Sequence, residues 1–325
     1  MTQRDTNPFA ASSDNKRYLT YSYYLRQRFG GKVFKVPLNI DFGCPNRDGT
    51  KGRGGCIFCS AKASGDFAGD PCEDIAAQFE EIRRRMHKKW PEGRYIPYFQ
   101  AGSNTYGETE RLRKMFRRAL SFENTVGLAI ATRADCIDRE KADMLAELAG
   151  DTYLTVELGL QSIHDRTAEL CNRCHTFEDF LRGFGLLKER GINVCVHIIN
   201  GLPGESRSMM LETARTVGDL GIHAVKIHLL HILRGTVLAQ MLERGEVRPM
   251  EQGEYVSLVC DQIESLPPEV IVERVTGDGA RSDLIAPLWS LKKFCVMNDI
   301  DKELYRRGTY QGFSHGQAGR YSIID

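Results

Sequence analysis

The sequence predicts an α/β protein: a partial (β/α)6, open TIM-like barrel with a C-terminal α/β extension. Three observations predict it. From residue 33 onward short apolar runs alternate with amphipathic stretches, as parallel strands joined by crossover helices do. The strand runs are apolar on both faces, as at 194–199, which suits a sheet covered by helices. The alternation breaks near Gly235 after six units, short of the eight that close a barrel.

The strand candidates are 33–42, 95–100, 126–131, 153–160, 192–199 and 224–230, with helices at 74–89, 108–120, 138–148, 177–190 and 207–220. In the first helix Asp74 can cap the N-terminus, and Ile75, Phe79, Ile82 and Met86 recur on one face. Thr176 with Asp179 three residues on resembles a capping box ahead of Phe180, Phe184 and Leu187. Residues 1–31 form an N-terminal extension, 32–235 the barrel core, and 236–325 an extension packed on it, with a helix at 251–265 and a strand at 269–275.

The chain has 325 residues, 42% hydrophobic and 27% charged, a globular composition. No run approaches the ~18 apolar residues of a membrane span. Residues 1–15 are polar and lack a signal-peptide core, so no membrane association and a cytoplasmic location are expected. There, ten cysteines read as metal ligands, reactive thiols or small buried side chains rather than disulfides. The net charge is +1, but residues 1–60 carry ten Lys/Arg against four Asp/Glu. A basic end of this kind can attract an anionic partner or be an ordinary solvated surface.

Directly after the first strand stand Cys44, Cys56 and Cys59 on a glycine-rich loop. Three thiolates can hold three irons of a cubane cluster and leave the fourth open to a ligand. With Cys72 as a fourth ligand, the same cysteines suit a structural zinc. Spacing alone does not separate the two. The other strand ends favour a small-molecule site. Gln100, Gly102, Ser103 and Asn104 follow the second strand, Thr132 and Arg133 the third, Gln161 and Ser162 the fourth, and Asn200 to Glu205 the fifth. Loops after parallel strands face the mouth of a β/α barrel, and a zinc knuckle would not require them polar.

The segments 41–50 (DFGCPNRDGT) and 54–59 (GGCIFC) resemble the YhcC/YtqA-type radical SAM proteins, whose core is like that of the elongator catalytic subunit. The match continues through 157–162 (ELGLQS), 172–176 (NRCHT), 201–205 (GLPGE), 276–279 (TGDG) and 286–293 (APLWSLKK), nearly the whole chain. The resemblance implies that 32–235 is a radical SAM core with a [4Fe-4S] cluster on Cys44, Cys56 and Cys59, and S-adenosyl-L-methionine as the second cofactor. It implies that Phe58 lies near the adenine and that Ala101, Gly102 and Ser103 hold the methionine amino group. Gln161, Arg173 and His197 fall at positions that contact the nucleoside or carboxylate. A tRNA substrate is implied, modified at the C5 side chain of wobble uridine by trimming carboxymethylaminomethyl toward aminomethyl. An electron donor such as flavodoxin or ferredoxin completes the expectation. A small-metabolite substrate, or a zinc-stabilised RNA-binding protein, are the alternatives.

Other residues invite weaker readings. Cys171 and Cys174 make a second CxxC, but two thiolates leave a cubane short of ligands, so Arg173 and His175 are the better functional candidates. Cys136, Cys195, Cys260 and Cys295 read as small apolar side chains. His223, His228 and His231 cluster around the sixth strand, suited to substrate contact or packing. Tyr18, Tyr21, Tyr23 and Tyr24 can stack on nucleobases or pack an N-terminal helix, the latter preferred. Lys35, Arg53, Arg306, Arg307 and Arg320 are candidate phosphate contacts.

Overall fold

The structure is a computed structural model that describes residues 7–316 except 62–64, 66, 67, 278 and 280. Arg320, named above, and Asp278 of the segment 276–279 lie outside the described residues.

The chain begins with α1 (Tyr21–Phe29), β1 (Val33–Leu38), α2 (Ile75–His87), β2 (Arg94–Phe99), α3 (Thr109–Leu120) and β3 (Gly127–Thr132). It continues through α4 (Arg139–Asp151), β4 (Tyr153–Gln161), α5 (Asp165–Leu170), α6 (Phe177–Lys188), β5 (Asn193–Asn200), α7 (Arg207–Asp219) and β6 (Ala224–Leu229). The remainder holds β7 (Ile232–Leu233), α8 (Val237–Glu243), α9 (Gln252–Ser265), β8 (Ile271–Arg274), β9 (Leu284–Ala286) and α10 (Lys293–Arg307).

Strands β1 to β6 lie side by side in chain order, each parallel to the next, and β8 adds to the edge of β6. The result is the curled, open half-barrel that the alternation predicts. The extension thus contributes a strand to the barrel sheet itself. Pairing β8 with β6 covers backbone groups that an edge strand would leave open. β7 and β9 form a separate antiparallel pair beyond the end of β6.

Local chemistry sets the helix starts. The Asp74 carboxylate accepts from the Ala76 N–H at 2.9 Å, and Thr176 with Asp179 closes a reciprocal capping box. Ile75, Phe79, Phe180, Phe184 and Leu187 are buried in the main core between the sheet and its helices, with Ile82 and Met86 packed against it. Helix α1 closes the N-terminal end of the half-barrel. Its Leu25 packs on Ile96, Tyr98, Ala129 and Tyr153, and Tyr24 meets the His223 ring edge-on at 5.5 Å. The tyrosine-rich segment is therefore packing, with Tyr18 and Leu25 each only 3% exposed.

Candidate active site

The cysteine loop is gripped from two sides at the C-terminal ends of the strands. On one side Gly102, at φ +72°, approaches so closely that a Cβ there would lie 2.7 Å from the Gly43 carbonyl oxygen. The Ser103 N–H donates to that same oxygen at 3.0 Å. On the other side the segment after α5 clasps the loop. The Ile57 N–H donates to the Cys171 carbonyl at 3.1 Å, and the Asn46 amide to the Asn172 carbonyl at 2.6 Å. The Asn172 amide donates in turn to the Gly55 and Arg53 carbonyls at 2.7 and 3.1 Å. Asn172 and Cys174 both take left-handed backbone conformations to make this turn. Arg133 binds the Arg173 carbonyl at 2.9 Å and pairs with Asp135 at 2.9 Å. Asp135 also receives Lys51 from the cysteine loop at 2.8 Å.

The three thiols share one wall of a cavity of about 300 Å³. Phe58, Gly102, Ser103, Gln161, Arg173 and His197 line the same cavity. Ala101 is buried and lies with Gly102 at a neighbouring cavity instead. Cys56 receives two N–H groups on its sulfur, from Arg173 Nη1 and Asn46 Nδ2, each at 3.6 Å. Arg173 also donates to the Gly159 carbonyl at 2.5 Å and to His175 Nε2 at 2.7 Å. Burial, with Arg173 and Arg133 nearby, pushes the His175 pKa down to about 3, so His175 is the neutral acceptor Arg173 needs.

Two buried polar atoms, Gln161 Oε1 and Arg173 Nε, have no hydrogen-bond partner. Among the described residues no group of three His, Cys, Asp or Glu side chains is placed to clasp a single metal ion. What the thiols share is a cavity. Three thiols on one loop, two N–H donors on one sulfur and these unpartnered polar atoms fit a cluster with an organic ligand beside it.

Deeper in the half-barrel lies a layer of charge. Glu157, fully buried, accepts from Lys35 at 2.5 Å on Oε1. Its Oε2 takes the Tyr98 hydroxyl at 2.7 Å, His197 Nε2 at 2.8 Å, and Lys226. Lys35 also pairs with Glu273 at 2.6 Å. Burial pushes the Glu157 carboxyl up, but Lys226, Lys35 and the His197 hydrogen bond outweigh it and hold it well below the usual carboxylate range. Burial likewise disfavours the charged form of Lys35, and Glu157 with Glu273 overcomes it. His197 is held below the ordinary imidazole value by burial and Lys226.

Several candidates do not belong to this site. Lys35 is part of the buried layer, not a surface phosphate contact. Arg306 pairs with Glu303, and Arg307 with Asp261, Glu264 and Glu303, while Arg53 is exposed. Cys171 is buried and Cys174 exposed; neither lines the cavity with the three thiols. Cys136, Cys195 and Cys260 are buried as expected, but Cys295 is exposed, because it lies on the outer face of α10. Cys72 is exposed too and does not line the cavity. The histidines separate: His223 bonds the Tyr153 hydroxyl at 3.0 Å beneath α1, whereas His228 and His231 line the cavity.

The sequence reading passed over Asn46, Tyr98, Lys226, Glu273 and Arg274. The visible signal was a charge inside an otherwise apolar strand: Lys35 in β1, Glu157 in β4, Lys226 in β6 and the adjacent Glu273 and Arg274 in β8. Unpaired, each would be costly there.

A half-barrel whose first strand delivers three thiols to a cavity ringed by polar strand ends has the architecture of a radical SAM protein. The Radical SAM superfamily matches residues 40–217 and the Radical_SAM C-terminal domain residues 222–306. The chain belongs to the radical SAM superfamily, whose members bind a [4Fe-4S] cluster and S-adenosylmethionine and draw on an electron donor. It is 53% identical over 306 residues to the YtqA protein of Bacillus subtilis, covering 94% of this chain and 95% of that protein. Over 177 residues it is 31% identical to the tRNA uridine(34) acetyltransferase of Methanocaldococcus infernus, covering 52% of this chain and 33% of that one. The fold overlays the archaeal Methanocaldococcus infernus Elp3 with a TM-score of 0.65 at 19% identity, covering 90% of this chain and 69% of that chain.

Proposed function

We propose that this radical SAM enzyme modifies tRNA at the C5 side chain of wobble uridine, trimming a carboxymethylaminomethyl group toward aminomethyl. The observation that carries the reading is the joining of the three-thiol wall and the charged barrel interior in one cavity. In this reading Cys44, Cys56 and Cys59 hold the cluster, and Asn46 and Arg173 temper the negative charge on Cys56. The cluster and S-adenosylmethionine, when bound, supply an electron and a 5′-deoxyadenosyl radical.

Phe58 lies beside the adenine, Gly102 and Ser103 take the methionine amino group with Ala101 packed behind them, and Gln161, Arg173 and His197 contact the nucleoside or carboxylate. The barrel's task is to hold the target C–H at the radical carbon and keep water out. A tRNA substrate is supported by the similarity to a tRNA uridine(34) acetyltransferase. It is also supported by the cations Arg47, Arg133, Arg173, Lys226 and Arg274 around the cavity. Flavodoxin or ferredoxin serves as donor, and the cytoplasm as location. Among the described residues no helix is long and apolar enough to cross a membrane.

The test is anaerobic incubation of reconstituted protein with S-adenosylmethionine, dithionite and tRNA from cells lacking the gene. The expected result is 5′-deoxyadenosine, a wobble nucleoside lighter by the carboxymethyl group, and one glyoxylate, the two-carbon unit left when S-adenosylmethionine takes two electrons from that carbon and water then cleaves it from nitrogen. Release of 5′-deoxyadenosine with every tRNA nucleoside unchanged in mass would remove the tRNA reading.

A further inference from the structure

We propose that the cavity floor is a carboxylate subsite, formed by Lys226, His228 and Arg274, that receives the acid end of the substrate side chain. This rests on the function proposed above and names the residues that would recognise that substrate.

The argument is an inventory of donors and acceptors. Among the described residues, Glu157 is the one carboxylate that lines the cavity. Both its oxygens are taken, Oε1 by Lys35 and Oε2 by Tyr98, His197 and Lys226. It has little left to offer a ligand. The other groups of the floor are donors and cations. Lys226 and Arg274 are register partners on the adjacent strands β6 and β8, and both face the cavity. Lys226 already donates to Glu157 and lies 3.7 Å from Glu273, so the subsite would draw on the donor capacity its ammonium has left, beside the planar Arg274 guanidinium.

His228, two residues beyond Lys226 on the same face of β6, brings the second observation. Its Nε2 is buried without a hydrogen-bond partner, and its ring lies 5.1 Å from that of His197. A buried imidazole nitrogen left unbonded in a polar cavity is costly unless a ligand completes it. Burial, then His197, Arg274 and Lys226, hold His228 well below the usual imidazole range.

The geometry also assigns an orientation. Arg173 lies against the Cys56 thiol, whereas Lys226 and Glu157 belong to the inner layer. An acid group on the floor would therefore leave the carbon beside it facing the cluster end of the cavity. A guanidinium with an ammonium beside it suits a planar carboxylate.

The test uses the reconstituted holoprotein without RNA and two free nucleosides as probes, 5-carboxymethylaminomethyluridine and its glycinamide counterpart, which differ only in a carboxylate against an amide. Isothermal titration should show the acid binding about tenfold more tightly than the amide, as one charge-assisted contact implies. Arg274→Gln and His228→Asn should each erase most of that preference, and Arg274→Lys should restore part of it. Iron content and circular dichroism confirm that the variants are folded. Equal affinity for acid and amide in the wild type overturns the proposal, as does an acid preference that survives both substitutions. Failure of the tRNA reading looks different: tRNA nucleosides stay unchanged in mass whatever the preference measured here.

Discussion

Lys35 Nζ stands 2.5 Å from Glu157 Oε1, joining residues 122 positions apart in the chain. The pair is the centre of a buried layer in which Glu273 also leans on Lys35 at 2.6 Å. Buried ion pairs gain little over apolar packing, but removing one partner strands the other. Lys35→Met should therefore cost about 3–5 kcal/mol, read as a fall in urea midpoint at unchanged m-value. Lys35→Met with Glu273→Gln should recover part of the loss, because the abandoned carboxylate goes with its cation. A cost below about 1 kcal/mol for the single variant, the scale of a solvated pair, would show that water compensates this layer.

His175 makes stability pH-dependent in a defined window. Burial, then Arg173 and Arg133, bring its pKa from 6.5 to about 3. Between those values the unfolded chain carries the proton and the folded chain does not, so stability falls as pH drops from 6.5 toward 3 and changes no further below. The full span is about 4–5 kcal/mol for a shift of this size. Urea unfolding from pH 7 to 4 should show a steeper loss for wild type than for His175→Gln, which keeps an acceptor for Arg173 without a titrating ring. Parallel profiles would remove His175 as the cause.

The strands and helix starts were legible because their signals are local. Apolar runs marked β1 to β6, and Asp74 and the Thr176–Asp179 box marked helix ends that the structure keeps. The thiol loop was legible for the same reason, three like ligands close in sequence. What stayed hidden depends on curvature. Lys35 meets Glu157 and Glu273 only because the sheet curls, at separations of 122 and 238 residues. Its position in an apolar strand hinted at burial, not at a partner. The histidines show the converse. His223 and His228 are near in sequence but lie toward opposite ends of β6, and a strand of that length spans about 20 Å. Proximity in sequence therefore did not make a cluster.

Gly102 and Gly54 offer a matched pair of substitutions. Both have positive φ, +72° and +78°, so alanine at either carries a left-handed penalty of about 1–2 kcal/mol. Only at Gly102 would the new methyl strike backbone, the Gly43 carbonyl next to Cys44; at Gly54 nothing lies within 4 Å. Gly102→Ala should therefore lose most of its iron after anaerobic reconstitution. Gly54→Ala should stay close to wild type in iron and fall only slightly in thermal stability. Equal iron in the two variants would mean that the loop tolerates displacement at Gly43.

The two cysteine sets should separate cleanly by iron content and colour. Alanine at Cys44, Cys56 or Cys59 removes a thiol from the shared wall, and each variant should retain under about a tenth of the roughly four irons a cubane holds. Cys171 and Cys174 sit differently. Burial pushes the Cys171 thiol up to about 12, far from the thiolate an iron ligand must be, and its side chain packs with Ile57, Leu202 and Leu238. The Cys174 thiol leans on Asn172 Oδ1 at 3.5 Å, on the outside of the turn that clasps the loop. Cys171→Ser should lower stability by about 1–3 kcal/mol, the cost of a hydroxyl left in an apolar site, yet keep the brown colour and the iron. Cys174→Ser should change neither. Loss of iron in Cys174→Ser, where the side chain is exposed and folding is not at stake, would move the second CxxC into the cluster chemistry and displace the assignment to the first three thiols.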